Sequence, residues 1–289
     1  MDLISIIIQG IIQGLTEFLP VSSSGHLSVV QHFMNIGEES LIVSIVLHLG
    51  TLLAVICAFY DTIWGMIKEF FLTIGDIFTG KFSWKNMNDN RRLMFMVIIA
   101  TLILVPVYFF KEFFTSVEGD GDIIFEGCAF VFTAILLFLS DACVKGFKTG
   151  KDMSVKDAII VGLFQCVALF PGVSRSGSTT SAGLFCGLTR ETAVTYSFIL
   201  GIPAILGGSV LELGDAVSSG IQLDFSILAV GFCTAAITGF LAISLVKLII
   251  KHNKFKIFGV YTLILGILCV GYGIFEYTTN THFSLVFTS

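Results

Sequence analysis

The residues predict an all-α integral membrane protein: six transmembrane helices plus two re-entrant helical hairpins in an inverted-topology repeat. Three observations carry this expectation: an apolar composition, apolar runs long enough to span a bilayer, and two matched polar interruptions. Of 289 residues, 55% are hydrophobic and 13% charged, and the mean hydropathy is +0.94, far from soluble globular proteins of this size. The runs outlast the roughly ten-residue alternations of membrane β-strands. They suit helices that rise about 1.5 Å per residue across about 30 Å of hydrocarbon.

In chain order, the first element is Leu3 to Leu27, apolar at both ends and broken by the polar cluster Gln13 to His26, in a hairpin expected over 3–34. Full spans follow at Leu41 to Tyr60, Leu93 to Phe110 and Ile123 to Val144. A second broken segment, Ala158 to Leu188, carries the polar cluster Pro171 to Ser181. Spans resume at Ala193 to Leu213, Phe225 to Ile250 and Ile257 to Tyr277. Each half of a broken segment is too short to cross. Non-helical backbone survives in hydrocarbon only where protein buries it or a wet cavity borders it, so both segments are expected to re-enter, with their tips meeting near mid-bilayer. No basic stretch follows Met1-Asp2, so no cleaved signal peptide is expected and the mature chain is read as starting at residue 1.

Orientation follows from Lys and Arg, which favour the cytoplasmic side. Lys68, Lys81, Lys85, Arg91 and Arg92 follow the first span; Lys145, Lys148, Lys151 and Lys156 follow the third; Lys247, Lys251, Lys254 and Lys256 follow the fifth. The alternate segments hold Glu112, Glu118, Asp120, Asp122, Asp215 and Asp224 against Lys111 alone. Both termini are therefore expected outside, with the first hairpin entering from the external face and the second from the cytoplasm beside Arg190. Gln13 to Gly25 also aligns without a gap on Gln165 to Gly177. The chain thus reads as one membrane domain of two inverted repeats, about 1–144 and about 155–277, an arrangement that puts a site at the repeat interface.

Intramembrane ionisable groups cost about 2.5–3.5 kcal/mol each on insertion scales, so Glu17, His26 and Arg175 are candidate functional residues. Pro20-Val-Ser-Ser-Ser-Gly-His26 and Pro171-Gly-Val-Ser-Arg-Ser-Gly-Ser-Thr-Thr180 are hydroxyl- and glycine-rich turns leading into short helices. Ser22 and Ser174 suit the N-cap positions. Two helix N-termini would then face the bilayer centre, where they can hold a phosphate or another anion. Gly25 and Gly177 allow close backbone approach, and Arg175 offers a planar donor fork suited to phosphate oxygens. Ser23 and His26, three apart, share a helix face; either Ser23 attacks phosphorus while His26 moves a proton, or His26 is itself the nucleophile. Glu17, on the helix face of Gln13, has three candidate roles: orienting His26, acting as a base, or binding a divalent cation. The plainer alternative for Glu17 and Arg175 is a structural ion pair, and for His26 a bond to hairpin backbone.

Other features carry less. His48, in the first full span, has two readings: facing the cavity, or, as the favoured one, a packed, backbone-bonded histidine. Glu126 and Asp141 have no assigned role. Gly172 to Thr179 has P-loop spacing, but Ser178 replaces the phosphate-binding lysine. The seven cysteines stand singly in apolar runs and read as packing residues. A net charge of −5 argues against nucleic-acid binding.

Gln13-x-x-x-Glu17-Phe-Leu-Pro-Val-Ser-Ser-Ser-Gly-His26 together with Pro171-Gly-Val-Ser-Arg-Ser-Gly-Ser-Thr179 resembles the two signature regions of bacterial undecaprenyl-diphosphate phosphatases, the bacitracin-resistance type. The resemblance implies hydrolysis of a polyprenyl diphosphate to the monophosphate and phosphate. That reaction recycles the lipid carrier for peptidoglycan synthesis, and it confers bacitracin resistance. It also implies a divalent cation (Mg2+ or Ca2+), a site open to the outside of the bacterial cytoplasmic (inner) membrane, and a homodimer. Glu17, Ser23, His26 and Arg175 match the catalytic positions, with Glu17 a candidate metal ligand. Gln13, Ser22, Ser174, Ser176 and Thr179, with the motif glycines Gly25 and Gly177, match positions around the phosphates. Gln13 stands where many members have Glu. A lipid substrate fits independently, because a long apolar tail with a diphosphate head needs lateral entry to a polar cleft. The competing readings are a transporter or flippase of an isoprenyl phosphate lipid, which shares the inverted-repeat architecture, an acid-phosphatase-like lipid phosphatase suggested by Ser24-Gly-His26, and a structural scaffold.

Overall fold

The structure, a computed structural model, describes residues 3–34, 40–110, 123–143, 146–218, 225–251 and 255–279. Among these are eleven α-helices. The first hairpin is α1 (Leu3–Phe18) and α2 (Ser23–Met34), followed by α3 (Ser40–Ala58), α4 (Tyr60–Phe78), α5 (Asp89–Tyr108) and α6 (Ile124–Asp141). The second hairpin is α7 (Val155–Val167) and α8 (Arg175–Phe185), followed by α9 (Arg190–Ser218), α10 (Phe225–Lys251) and α11 (Lys256–Thr279). Of the residues used to orient the chain, Lys111, Glu112, Glu118, Asp120, Asp122, Lys145, Asp224 and Lys254 lie outside the described residues.

Five helices, α5, α6, α9, α10 and α11, are long and apolar enough to cross a membrane. The first expected span is α3, which ends at Ala58 and continues after one residue into α4 at 86°. The sequence offers no unbroken apolar run for this following segment. Tyr60, Trp64, Ile67, Phe71, Ile74 and Phe78 form an exposed stripe on α4 at helical spacing. Lys68, Glu69 and Asp76 interrupt it in sequence, so it never reads as an apolar run. Arg91 holds α4 to α5, donating from Nε to Glu69 Oε2 at 2.7 Å and from Nη1 to Asp76 Oδ2 at 2.6 Å.

Local chemistry sets the hairpin ends. Ser154 and Asp157 form a capping box at the start of α7: Ser154 N–H donates to Asp157 Oδ2 at 2.9 Å and Asp157 N–H to Ser154 Oγ at 3.3 Å. Lys148 Nζ adds a charge-assisted bond to Asp157 Oδ1 at 3.1 Å. The far end of the hairpin is tied to the same segment, because Lys148 N–H donates to Gly187 O at 3.1 Å and Thr189 N–H to Lys148 O at 2.9 Å.

Packing is partly reciprocal between the two halves. Helix α1 packs on α10 as α7 packs on α5, α3 on α10 as α9 on α5, and α1 on α2 as α7 on α8; α3 also meets α9, and α6 meets α11. Exchanging each helix with its counterpart maps these contacts onto one another, with α4 as an insertion that has no partner. Helix α6 breaks the pattern by touching both α2 and α8. The main buried cluster runs through Phe18, Met96, Leu137, Tyr196 and Phe198. Backbones approach closely where glycines face each other: a Cβ on Gly127 of α6 would lie 2.9 Å from Gly266 O of α11, and one on Gly266 2.7 Å from Gly127 O.

Candidate active site

The two hairpin tips touch. A Cβ on Gly25 would lie 2.7 Å from Phe130 Cζ and 3.2 Å from Gly172 Cα, and Gly172 itself has φ +79°. Two hydrogen bonds join the tips, from Ser176 Oγ–H to Leu19 O at 2.9 Å and from Gly172 N–H to Ser24 Oγ at 3.4 Å. Each second half-helix has a serine cap. Ser22 Oγ accepts from Gly25 N–H at 3.2 Å and Ser174 Oγ from Gly177 N–H at 3.0 Å. Ser22 has φ 70°, left-handed for a non-glycine residue, a conformation that costs on the order of 1–3 kcal/mol and persists where its surroundings hold it. Those surroundings are the cap bond at its hydroxyl and the His26 ring at its carbonyl.

Glu17, buried near the end of α1, is the hub. Its Oε1 accepts from Arg175 Nη2 at 2.5 Å; its Oε2 accepts from Ser23 Oγ at 2.6 Å and from Gln13 Nε2 at 3.0 Å. Ser23 and Arg175 are the first residues of α2 and α8, so one carboxylate bridges both helix N-termini. Arg175 Nη1 also donates to Ser197 O at 3.2 Å, and a Cβ on Gly201 would lie 2.1 Å from that same nitrogen. A Cβ at this position of α9 would therefore displace the guanidinium.

A cleft of about 590 Å³ opens on this hub, bordered by Glu17, Ser22, Ser23, Ser24, Arg175 and Ser176. Ser174 also borders it, as do His48 of α3 and Ser209 and Glu212 of α9. Both α2 and α8 end there, and the positive ends of their dipoles favour an anion in the cleft. Leu27, Ala168, Leu169, Phe170, Ala204 and Ile205 supply an apolar side.

The other expected positions stand behind the cleft. Gln13 is fully buried and spends its amide N–H on Glu17. Thr179 Oγ1 donates to Arg175 O at 2.8 Å and lies 2.6 Å from Ser197 Oγ. Gly25 and Gly177 donate their amides to the caps and serve as close-packing points. These four support the tips and do not border the cleft.

His26 departs from the expected pairing with Ser23. Its Nδ1 lies 2.6 Å from Ser22 O, so Nδ1 carries the proton, and its Nε2 lies 2.8 Å from Tyr261 OH. The ring stacks on Tyr261 and meets Phe130 edge-on. The rotation of α2 about its axis, set by the Ser22 turn, aims this imidazole at α6 and α11 while Ser23 faces Glu17. His48 meets both of its readings: Nδ1 lies 2.7 Å from Ser44 O, and the ring borders the cleft with Nε2 3.8 Å from Glu17 Oε2.

Several contributors went unassigned from sequence. Ser197 and Gly201 give no motif signal. Tyr261 is one aromatic among many in an apolar span. Glu126, an acidic residue within an apolar segment, had a signal: it is buried and accepts from Ser28 Oγ at 2.7 Å, tying α2 to α6. Asp141 pairs with Arg190 at 2.8 Å, at the entrance to the second hairpin.

A divalent cation would find one protein carboxylate at the hub, so Glu17 would hold it only together with oxygens of the substrate phosphates and water. Glu17 is the one carboxylate at the hub, its two oxygens already serve Arg175, Ser23 and Gln13, and the residue four positions before it is a neutral amide. No group of three or more His, Cys, Asp or Glu side chains is placed to hold a metal among the described residues. In this arrangement Glu17 bonds a guanidinium and a serine hydroxyl.

The profile of the bacitracin resistance protein BacA family matches residues 6–268. Proteins named undecaprenyl-diphosphatase are similar over nearly the whole chain. That of Alkaliphilus metalliredigens is 41% identical over 263 residues, covering 90% of this chain and 94% of its own. That of Methanobrevibacter smithii is 42% identical over 277 residues, covering 93% and 96%. That of Halothermothrix orenii is 36% identical over 273 residues, covering 93% and 98%.

Proposed function

We infer, from the premise that this chain belongs to the bacitracin resistance protein BacA family, that it is an undecaprenyl-diphosphatase. It is a multi-pass membrane hydrolase that removes the terminal phosphate of undecaprenyl diphosphate and returns the lipid carrier to cell-wall synthesis. One observation carries the reading at the level of chemistry: a single carboxylate joins a serine hydroxyl and an arginine fork at two opposed helix N-termini.

The mechanism we propose uses Ser23 as the nucleophile. Its hydroxyl already donates to Glu17 Oε2 at 2.6 Å, so Glu17 is in place to take the proton as Oγ attacks the terminal phosphorus. The P–O bond to the bridging oxygen breaks and undecaprenyl monophosphate leaves. After Glu17 has released that proton to solvent, water attacks the phosphoserine and gives its proton to Glu17; the serine P–O bond breaks, the proton passes from Glu17 to the Ser23 oxygen, and inorganic phosphate is released. Arg175 and the amide ends of α2 and α8 oppose the charge on the phosphoryl oxygens. When the diphosphate arrives, it competes with Glu17 for the guanidinium, and Ser197 O keeps Arg175 from swinging away. His26 as nucleophile is the second reading; Ser22 and Tyr261 hold both its ring nitrogens, which favours Ser23. The apolar side of the cleft supports entry of the isoprenyl tail from the bilayer.

Three finer statements belong to this proposal. The lysine and arginine pattern supports residence in the bacterial inner membrane with both termini outside. With the first hairpin entering from the external face, it also supports a cleft open to that side. The family resemblance supports a homodimer, which light scattering of the detergent-solubilised protein would size.

The test is phosphate release from undecaprenyl diphosphate by purified protein in detergent, with trapping of the phospho-enzyme by acid quench. The expected result is steady release by the wild type, loss of at least 100-fold in Ser23→Ala, and an acid-stable phosphoserine. An acid-labile phosphate that survives in Ser23→Ala moves the nucleophile to histidine. No release by the folded wild type overturns the enzyme reading.

A further inference from the structure

His48 is the titratable side chain at the cleft that the mechanism above does not use. It stands on α3, two turns into the span, and its Nδ1 lies 2.7 Å from Ser44 O and 3.3 Å from Ser44 Oγ. A carbonyl can only accept, so Nδ1 carries the hydrogen. In the neutral ring the lone pair is therefore on Nε2, the nitrogen 3.8 Å from Glu17 Oε2. Glu17 Oε2 is the same oxygen that accepts from Ser23. The ring borders the cleft with its side chain 27% exposed, so the imidazole meets the cleft solvent and stands 3.8 Å from the carboxylate, a gap that one water or a small shift of either side chain closes.

We propose that His48 is a positioning residue that acts through Glu17: it draws off the proton Glu17 takes from Ser23 and passes it to water in the cleft. This rests on the phosphatase reading with Ser23 as nucleophile. A Glu17 left protonated weakens its salt bridge to Arg175 and cannot serve as base for the water that hydrolyses the phosphoserine. The balance is simple. The Ser23 O–H bond breaks and a proton moves to Glu17 Oε2; the O–H bond at Glu17 then breaks as an N–H bond forms at His48 Nε2; cleft water takes that proton and the lone pair returns to Nε2. The Nδ1 bond to Ser44 persists throughout, so the ring need not turn.

The charged groups around His48 are few. Helix α1 presents Glu17, and α8 presents Arg175 beyond it. Helix α9 presents Glu212 at the cleft border. On α10, Lys247 lies over the Phe59 ring, 4.0 Å from its centroid, at the opposite end of α3, and α4 begins past that end. A proton on Nε2 therefore faces two carboxylates and one guanidinium already engaged by Glu17.

The experiment compares His48→Gln and His48→Asn with wild type for kcat and KM of phosphate release across pH, with thermal unfolding of each variant as the check on folding. Two variants are used because Gln approaches the Nε2 position while Asn keeps a donor near Ser44, and neither titrates. The expected result is a fall in kcat of about 100-fold in both with KM within about threefold. The acid limb of the wild-type kcat profile should also vanish, since a protonated Nε2 cannot accept the proton from Glu17. An unchanged kcat, a loss carried by KM, or retention of that limb in either folded variant overturns the proposal. Failure of the wild type to release phosphate in the same assay strikes the phosphatase reading instead.

Discussion

Ser23 and Arg175 hold equivalent positions, each following a serine cap, yet one is a short hydroxyl and the other a long cation. Both reach Glu17 because the tips approach from opposite directions and the carboxylate offers an oxygen to each. Geometry at Arg175 is tightly set by Glu17, Ser197 O and the open face of Gly201. Arg175→Lys should therefore lose most turnover, about 100-fold in kcat, because an ammonium cannot bond Glu17 and a phosphate in the fork geometry. Near-native kcat in that variant would remove Arg175 from the phosphoryl site. Gly201→Ala is expected to act in the same direction without touching a polar atom, since its Cβ would meet the guanidinium, and kcat relative to KM measures it. At this scale the sequence motifs identified Glu17, Ser23 and Arg175 as partners. They left the facing of the two histidines undecided, because the direction of an imidazole depends on the rotation of its helix, and a left-handed serine sets that rotation at α2.

Among the elements, the hairpins depend on close approach and on capping. Gly14 of α1 faces α10 with no room for a side chain: a Cβ there would lie 1.9 Å from Thr238 Oγ1 and 2.7 Å from Ala235 O. Gly14→Leu should push α1 off α10 and displace Gln13 and Glu17 with it, costing about 1–3 kcal/mol. A lowered Tm in detergent together with lost turnover checks this. Ser154→Ala removes the cap of α7 far from the cleft. It should cost about 1 kcal/mol, seen as a lower Tm with kcat nearly unchanged; loss of turnover at full stability would show that the hairpin entrance does more than hold α7. Helix α4 shows why element boundaries were only partly legible. A window that looks for unbroken apolar runs finds α3 and passes over a stripe that returns every three or four residues between charges.

For the whole molecule, several helix contacts have counterparts in the other half, although those of α8 on α9 and α1 on α3 have none of comparable extent. Orientation is checked by labelling. In a background with the seven cysteines replaced, Lys85→Cys should resist an impermeant maleimide applied to intact spheroplasts and react after lysis. Thr279→Cys should react from outside. The reverse pattern inverts the topology and turns the first hairpin to the cytoplasm.

Composition, the length of the apolar runs and the two polar interruptions were enough to foretell helices in a bilayer, two broken hairpins and the residues at their tips. All of these follow from local solvation and hydrogen-bonding demands that a chain in hydrocarbon cannot evade. Which of those residues meet was decided by packing between helices distant in sequence. Gln13 and Thr179 retreat behind the cleft, His26 turns to Tyr261, and His48, Ser197 and Gly201 come to the hub, because contact in a bundle is set by the relative rotation and depth of whole helices, and no single segment encodes either.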